Sequence, residues 1–131
     1  MLVLELRAYL LADSAIASLI GVRMHPVNLP QNIRYPALSY MQVSNVRERD
    51  LCGPAGFAHP RISINSWSET YIGARDLAEA VRVALEGFRG QFTPTGARVG
   101  SARLDNELDG DEPDVGIYRV LQDYIISHAE D

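Results

Sequence analysis

At 131 residues the chain is about one domain's worth, long enough to bury a core without disulfide staples. Apolar residues make up 47% and charged residues 22%, which excludes a disordered tail, a collagen-like repeat and a disulfide miniprotein. Seventeen acidic residues against twelve basic ones give a net charge of −5, which argues against a general nucleic-acid binder.

All twelve basic residues are arginine, a bias that no folding rule demands and that reads as a genomic preference. The opening Met1-Leu2-Val3-Leu4-Glu5-Leu6-Arg7 is apolar, but its charges interrupt the unbroken run a secretory signal needs. No stretch approaches the roughly 18 apolar residues of a membrane span. The expectation is a cytosolic chain with no membrane partner.

Residues 2–20 read as helix. Leu6, Leu10 and Leu11 share one face, and Ile16, Leu19 and Ile20 restart the stripe after Asp13, an N-cap type. Two helical pieces are predicted, closed by Gly21. Residues 22–27 form a short extended segment, because Pro26 forbids helix and biases His25 to extended geometry. Residues 28–36 form a loop. Residues 37–44 alternate as a strand, with Leu38, Tyr40, Gln42 and Ser44 on one face and Met41 and Val43 on the other.

A mixed charge run, Arg47-Glu48-Arg49-Asp50, comes next. Residues 51–60 carry two glycines and two prolines and predict a loop or a wide hairpin arm. The clearest strand is 61–67, with Ile62 and Ile64 opposed to Ser63, Asn65 and Trp67.

The best helix runs from about Thr70 to Phe88. Ala74, Leu77, Ala78, Val81, Leu85 and Phe88 form one apolar stripe, with Ser66 and Glu69 as a capping box and Gly87 and Gly90 as stops. Strands follow at 91–93 and 97–104, around a Pro94/Gly96 turn. The acidic segment 105–114 predicts a loop, 116–127 a closing strand, and 128–131 a frayed end. Helix, strands, helix, strands without βαβ alternation predicts an α+β fold: an antiparallel sheet with two main helices packed on one face.

Reactive chemistry finds little support. Cys52 stands alone beside Gly53 and Pro54, with no base in sequence reach, and reads as a neutral loop residue in a reducing compartment. His25, His59 and His128 have no metal-ligand spacing. Gly100-Ser101 lacks the second glycine of a nucleophile elbow, and phosphate-binding glycine motifs are absent. Asp105, Glu107, Asp109 and Gly110 match four positions of a calcium loop, but Gly116 stands where a bidentate glutamate belongs. A weakly held, oxygen-ligated cation is the alternative to a solvated or partner-facing acidic turn. No catalytic residue, metal or cofactor is expected.

Two stretches read as surfaces. Arg47, Glu48, Arg49, Asp50 and Leu51 suit either a solvated strand end or an arm whose mixed charges fix register between identical subunits. The acidic stretch, with Asp105, Glu107, Asp109, Asp111 and Glu112, concentrates the negative charge in one place. It suits a solvated or partner-facing surface.

The order and spacing of several segments resemble the tail terminator, or tail completion, proteins of long-tailed phages, prophages and gene transfer agents. The segments begin with Leu6-Arg-Ala-Tyr-Leu-Leu-Ala-Asp and Ile20-Gly-Val-Arg-Met-His-Pro, then Leu29-Pro-Gln and Tyr35-Pro-Ala-Leu-Ser-Tyr. Leu51-Cys-Gly-Pro-Ala-Gly, Arg61-Ile-Ser-Ile-Asn-Ser-Trp and the helix from Ala74 to Gly90 follow. Glu112-Pro-Asp and Gly116-Ile-Tyr-Arg-Val-Leu-Gln-Asp-Tyr complete the series.

The resemblance implies a single domain over 1–131 and a homo-oligomer, a hexameric ring that ends the tail tube. It implies a tail tube protein and a head-side neck or connector protein as partners, with DNA passing through unbound. The place implied is the neck-proximal end of the virion tail, with the host cytoplasm as the site of assembly. Rival readings are another head–tail joining or tail tube ring protein, a generic cytosolic oligomer, and a small cytosolic ligand-binding α+β domain. The last predicts a deep pocket with convergent polar groups.

Overall fold

The N-terminal apolar run folds as α1 (Leu2–Ala12) and α2 (Ser14–Ile20) in a computed structural model that describes residues 2–50 and 53–129, with side chains over 2–46 and 57–129. Asp13 divides the two as its chemistry predicts. Its carboxylate accepts from the Ala15 and Ile16 N–H groups at 3.0 and 3.2 Å. Gly21, at φ 61°, ends α2 in a backbone state that favours glycine.

The strands are β1 (Met24–Pro26), β2 (Ala37–Asp50), β3 (Gly53–Ser68), β4 (Gly90–Gln91), β5 (Arg98–Glu112) and β6 (Ile117–Ala129); α3 (Tyr71–Leu85) lies between β3 and β4. They form one six-stranded sheet in the order β1-β2-β3-β6-β5-β4. All neighbours are antiparallel except β1 and β2.

Leu6, Leu10, Ile16, Ile20, Leu77, Val81 and Leu85 from the helices meet Leu38, Ile62, Ile64, Tyr124 and Ile126 from the sheet in one fully buried cluster. The result is the expected α+β layering, with the two N-terminal helical pieces and α3 packed on one face of the sheet. An aromatic group ties α1 to the end of α3. The Tyr9 and Phe88 ring centroids lie 4.8 Å apart, those of Phe88 and Phe92 4.7 Å, and the Tyr9 hydroxyl donates to the Ala84 carbonyl at 2.6 Å.

The α3 stripe buries as predicted, but its ends differ. Thr70, not Ser66, is the N-cap, with its hydroxyl accepting from the Gly73 N–H at 3.0 Å. Ser66 is fully buried within β3, so the proposed capping box with Glu69 does not form. The helix stops at Leu85, and Phe88 packs from beyond it. Thr70→Ala should cost about 1 kcal/mol of stability, read from a chemical melt. An unchanged midpoint would show that water replaces the cap.

The largest departure concerns the acidic segment. Residues 105–112 are strand, not loop, paired residue for residue with β6 from Glu112↔Ile117 to Asn106↔Asp123. Acid-rich composition predicts coil because Asp and Asn are poor strand formers. Here the β-branched and aromatic β6 needs a partner on its second side, and backbone pairing outweighs that preference. The loop shrinks to the turn around residues 113–116.

The charged run 47–50 likewise continues β2, and the Gly/Pro-rich stretch from Gly53 is β3, so the arm is a paired hairpin. Its register shift between Glu48 and Arg49 lies where Pro54 enters the ladder, as bulges accommodate proline. A second shift, between Gln42 and Ser44, leaves both of those residues exposed instead of continuing the buried face of Leu38 and Tyr40. The strand predicted at 91–93 is confined to Gly90–Gln91, and His128 is strand rather than frayed. Leu51 and Cys52 lie outside the described residues.

Candidate functional site

Two hairpins dominate the ends of the sheet. At one end β2 and β3 run past the described end of β6, because Phe57 faces Ala129 while Arg49 and Asp50 pair only with Pro54 and Gly53. The predicted interface residues Arg47, Glu48, Arg49 and Asp50 therefore lie on this projecting arm. Val46 (63% exposed) and Phe57 (45%) are apolar residues left bare at its base. At the opposite end the β5–β6 hairpin carries the acids, next to Trp67 and Tyr35.

The five predicted acids do not act as one patch. Asp105 accepts from Arg61 Nη1 at 2.6 Å and from Arg103 Nη1 at 2.9 Å, and these bonds hold its carboxyl below the usual carboxylate range. Glu107 and Asp109 turn instead toward α3, 2.7 and 3.3 Å from Arg75 Nη1. Burial disfavours the Arg75 charge, but the two carboxylates outweigh it and keep the guanidinium firmly protonated. The Tyr71 hydroxyl donates to Asp109 at 2.8 Å, which raises the phenol above its ordinary value. Each pair is partly exposed and screened by solvent, so their main effect is to place charge.

Asp111, Glu112 and Asp114 have no ion pair among the described residues. The free negative charge sits at the tip. Among the described residues no three His, Cys, Asp or Glu side chains are grouped to hold a metal ion.

Sequence reasoning missed the basic half of this arrangement. Tyr71 and Arg75 are one helical turn apart on the exposed side of α3, and Glu107 and Asp109 are two apart, the spacing of one strand face. That i, i+2 pattern was the available signal that the acids belong to a strand.

Trp67 and Arg119 form a second unforeseen pair, with the guanidinium carbon 5.5 Å from the ring centroid. Gly110 makes room for it, since a Cβ there would stand 2.7 Å from Arg119 Nη2. The indole N–H donates to Ser39 Oγ at 3.0 Å. Trp67 is the chain's only tryptophan, so its fluorescence reports this contact. Arg119→Ala should shift the emission to the red and cost about 0.5–1 kcal/mol. Unshifted emission would mean that the stack does not form in solution.

Beside the tip lies an open groove of about 460 Å3, lined by Val27, Leu29, Tyr35, Trp67, Glu112 and Val115. Val27 holds φ 63°, strained for a β-branched residue, and its N–H donates to the Tyr40 carbonyl at 2.8 Å. The groove is open to solvent and mixes carboxylates with apolar side chains. Asn28 and Asp114 complete its lining.

Solved structures contain the same fold. A chain from the virion of a native gene transfer agent particle superposes with a TM-score of 0.77, at 17% identity, covering 96% of this chain and 94% of that one. No curated protein is similar enough in sequence to match. The family described as tail completion protein gp17 matches residues 5–129, from the first turn of α1 to the last residue of β6. With every helix and strand described above inside or overlapping that span, the chain belongs to the tail completion protein gp17 family, structural proteins of the tail.

Proposed function

We propose that this chain, as a single domain over 1–131, assembles into a ring of six copies that closes the head-proximal end of a finished tail tube and gives the neck its docking surface. The observation that carries the reading is the family match across nearly the whole chain. The shared fold with a chain of a gene transfer agent virion supports it. So does the shape of the subunit, in which the work falls to projecting hairpins. The partners are further copies, the tail tube protein and the head-side connector, with DNA passing through unbound. The protein's place is the neck-proximal end of the tail, and it assembles in the host cytoplasm.

In this reading the arm with Arg47, Glu48, Arg49, Asp50 and Leu51 reaches a neighbouring copy, and its alternating charge sets the register. Asp105, Glu107, Asp109, Asp111 and Glu112 face the lumen or the docking side. Paired arginines offset the first three, so the repulsion that keeps DNA from sticking comes chiefly from Asp111 and Glu112 at the tip. Neutralising those two to Asn and Gln should raise DNA retention in purified particles, more strongly at low salt. Unchanged DNA transfer and no gained DNA affinity would remove the lumen role.

Imaging purified particles with a label fused to this chain tests the whole reading. A label at the junction of tube and neck is the expected result. A label along the tube, or on the head side of the joint, would reassign the chain to a different ring.

A further inference from the structure

The helices cover one face of the sheet, and the groove beside Trp67 belongs to the other. Ile62 and Ile64 are buried in the cluster with Leu77 and Leu85 of α3, so the alternation along β3 turns Trp67 away from the helices. Trp67 faces Arg119 on β6, and Glu112 faces Ile117 two residues earlier on that strand. Glu112, Ile117, Arg119 and Trp67 therefore share the uncovered face. Asp111 faces Tyr118 and falls on the opposite one. The segment linking β1 to β2 brings Val27, Leu29 and Tyr35 to the groove, and the turn between β5 and β6 adds Asp114 and Val115.

The walls are set before any partner arrives. The Trp67 indole N–H donates to Ser39 Oγ at 3.0 Å, and the Arg119 guanidinium carbon stands 5.5 Å from its ring centroid. Val27 is 56% exposed and Val115 69%, so apolar surface stays bare on both the linking segment and the turn. Glu112 and Asp114 are exposed, and neither side chain has an ion pair among the described residues. Asp105, Glu107 and Asp109, on the same strand as Glu112, each have an arginine of their own subunit. The two carboxylates left without a cation are thus the two that line the groove. An open void of about 460 Å3 suits side chains carried on another protein better than an enclosed small molecule. Aromatic walls, bare valines and unpaired carboxylates together match arginine, which has an apolar stem, a planar group that stacks on rings and a fork that meets carboxylate. Every basic residue of this chain is arginine, and a partner under the same genomic preference presents arginine rather than lysine.

We propose that this groove docks an exposed arginine flanked by apolar residues on a neighbouring tail protein. The guanidinium meets Glu112 and Asp114, and the flanking apolar side chains cover Val27, Leu29 and Val115 beside Trp67. With Glu112 engaged, Asp111 on the other face remains to repel DNA. The proposal deepens the docking part of the reading above and rests on it for the kind of partner, but the contact itself needs only one subunit.

The test titrates the full chain with the capped peptide acetyl-Leu-Arg-Leu-Arg-Leu-amide and follows the fluorescence of Trp67, the chain's only tryptophan. Emission should change along a saturable curve. Glu112→Gln with Asp114→Asn should melt with the wild type and bind the peptide roughly tenfold more weakly. Asp76→Asn with Glu86→Gln removes the same charge from exposed positions on the helix side and should leave binding within about twofold. The lysine counterpart of the peptide should bind roughly fivefold more weakly than the arginine one. No saturable change, an equal loss from both double variants, or equal binding of the lysine peptide would each overturn the proposal. Trp67 emission that moves with protein concentration alone would make a second copy the occupant and overturn the neighbouring protein. Any of these results leaves the ring reading standing, because that reading is decided by the labelled particles. Peptide binding by a chain whose label is absent from the joint would overturn the docking reading instead.

Discussion

Leu77→Ala should lower the unfolding free energy by about 2–5 kcal/mol and the melting temperature by on the order of 10 °C. Leu77 is fully buried on the apolar face of α3, in the cluster that joins the helices to Ile62, Ile64 and Tyr124. Truncation removes the transfer free energy of the lost methyl groups and leaves a cavity. The wall facing that cavity is sheet, which closes in less easily than a mobile loop. A domain of this size has only about 5–15 kcal/mol in total, so the loss takes a large share. Urea denaturation of wild type and variant checks it. A loss under 1 kcal/mol would mean that α3 does not seat on the sheet as described.

Arg47→Glu combined with Arg49→Glu should do the reverse, sparing the fold and breaking the assembly. Both residues lie on β2 where it pairs with Ala58 and Pro54 near the end of the arm, far in the ladder from the buried Leu38 and Tyr40. Substitutions at such a place change stability by roughly half a kcal/mol or less. Across a subunit interface, turning an attractive charge pair into a repulsive one costs about 2 kcal/mol or more, roughly thirtyfold in dissociation constant. In the proposed ring every contact carries the same penalty. Sedimentation at graded protein concentration reads the effect, and raised salt should narrow the gap between variant and wild type. Rings of unchanged mass at unchanged concentration would take the arm out of the interface.

Together the two variants separate the jobs of the chain. In the proposed reading, residues on the helix stripes make the subunit and residues on the hairpins make the assembly.

Periodicity was enough wherever one face is buried and the other is wet. The break at Asp13, the stripe from Ala74 to Leu85 and the opposed faces around Ile62 and Ile64 follow from local sequence, because burial imposes a period on each element separately. The order and spacing of segments also carried the family, which the match over residues 5–129 shows.

The acidic stretch and the arm did not yield to the same reasoning. Whether Asp105, Glu107 and Asp109 stand in a loop or a strand depends on β6, which follows them in the chain, and on Arg61 and Arg75, which are distant in it. Composition argued for coil; pairing with β6 and charge balance from α3 and β3 decided for strand. The length of the β2–β3 hairpin was hidden for a similar reason, since prolines and glycines look like a loop until a register shift lets them pair. Sequence alone determined which residues must be buried together, because that depends on local pattern. The tertiary structure decided which strand edges stay open and which carboxylates stay unpaired, because both are set by neighbours that the linear order keeps apart.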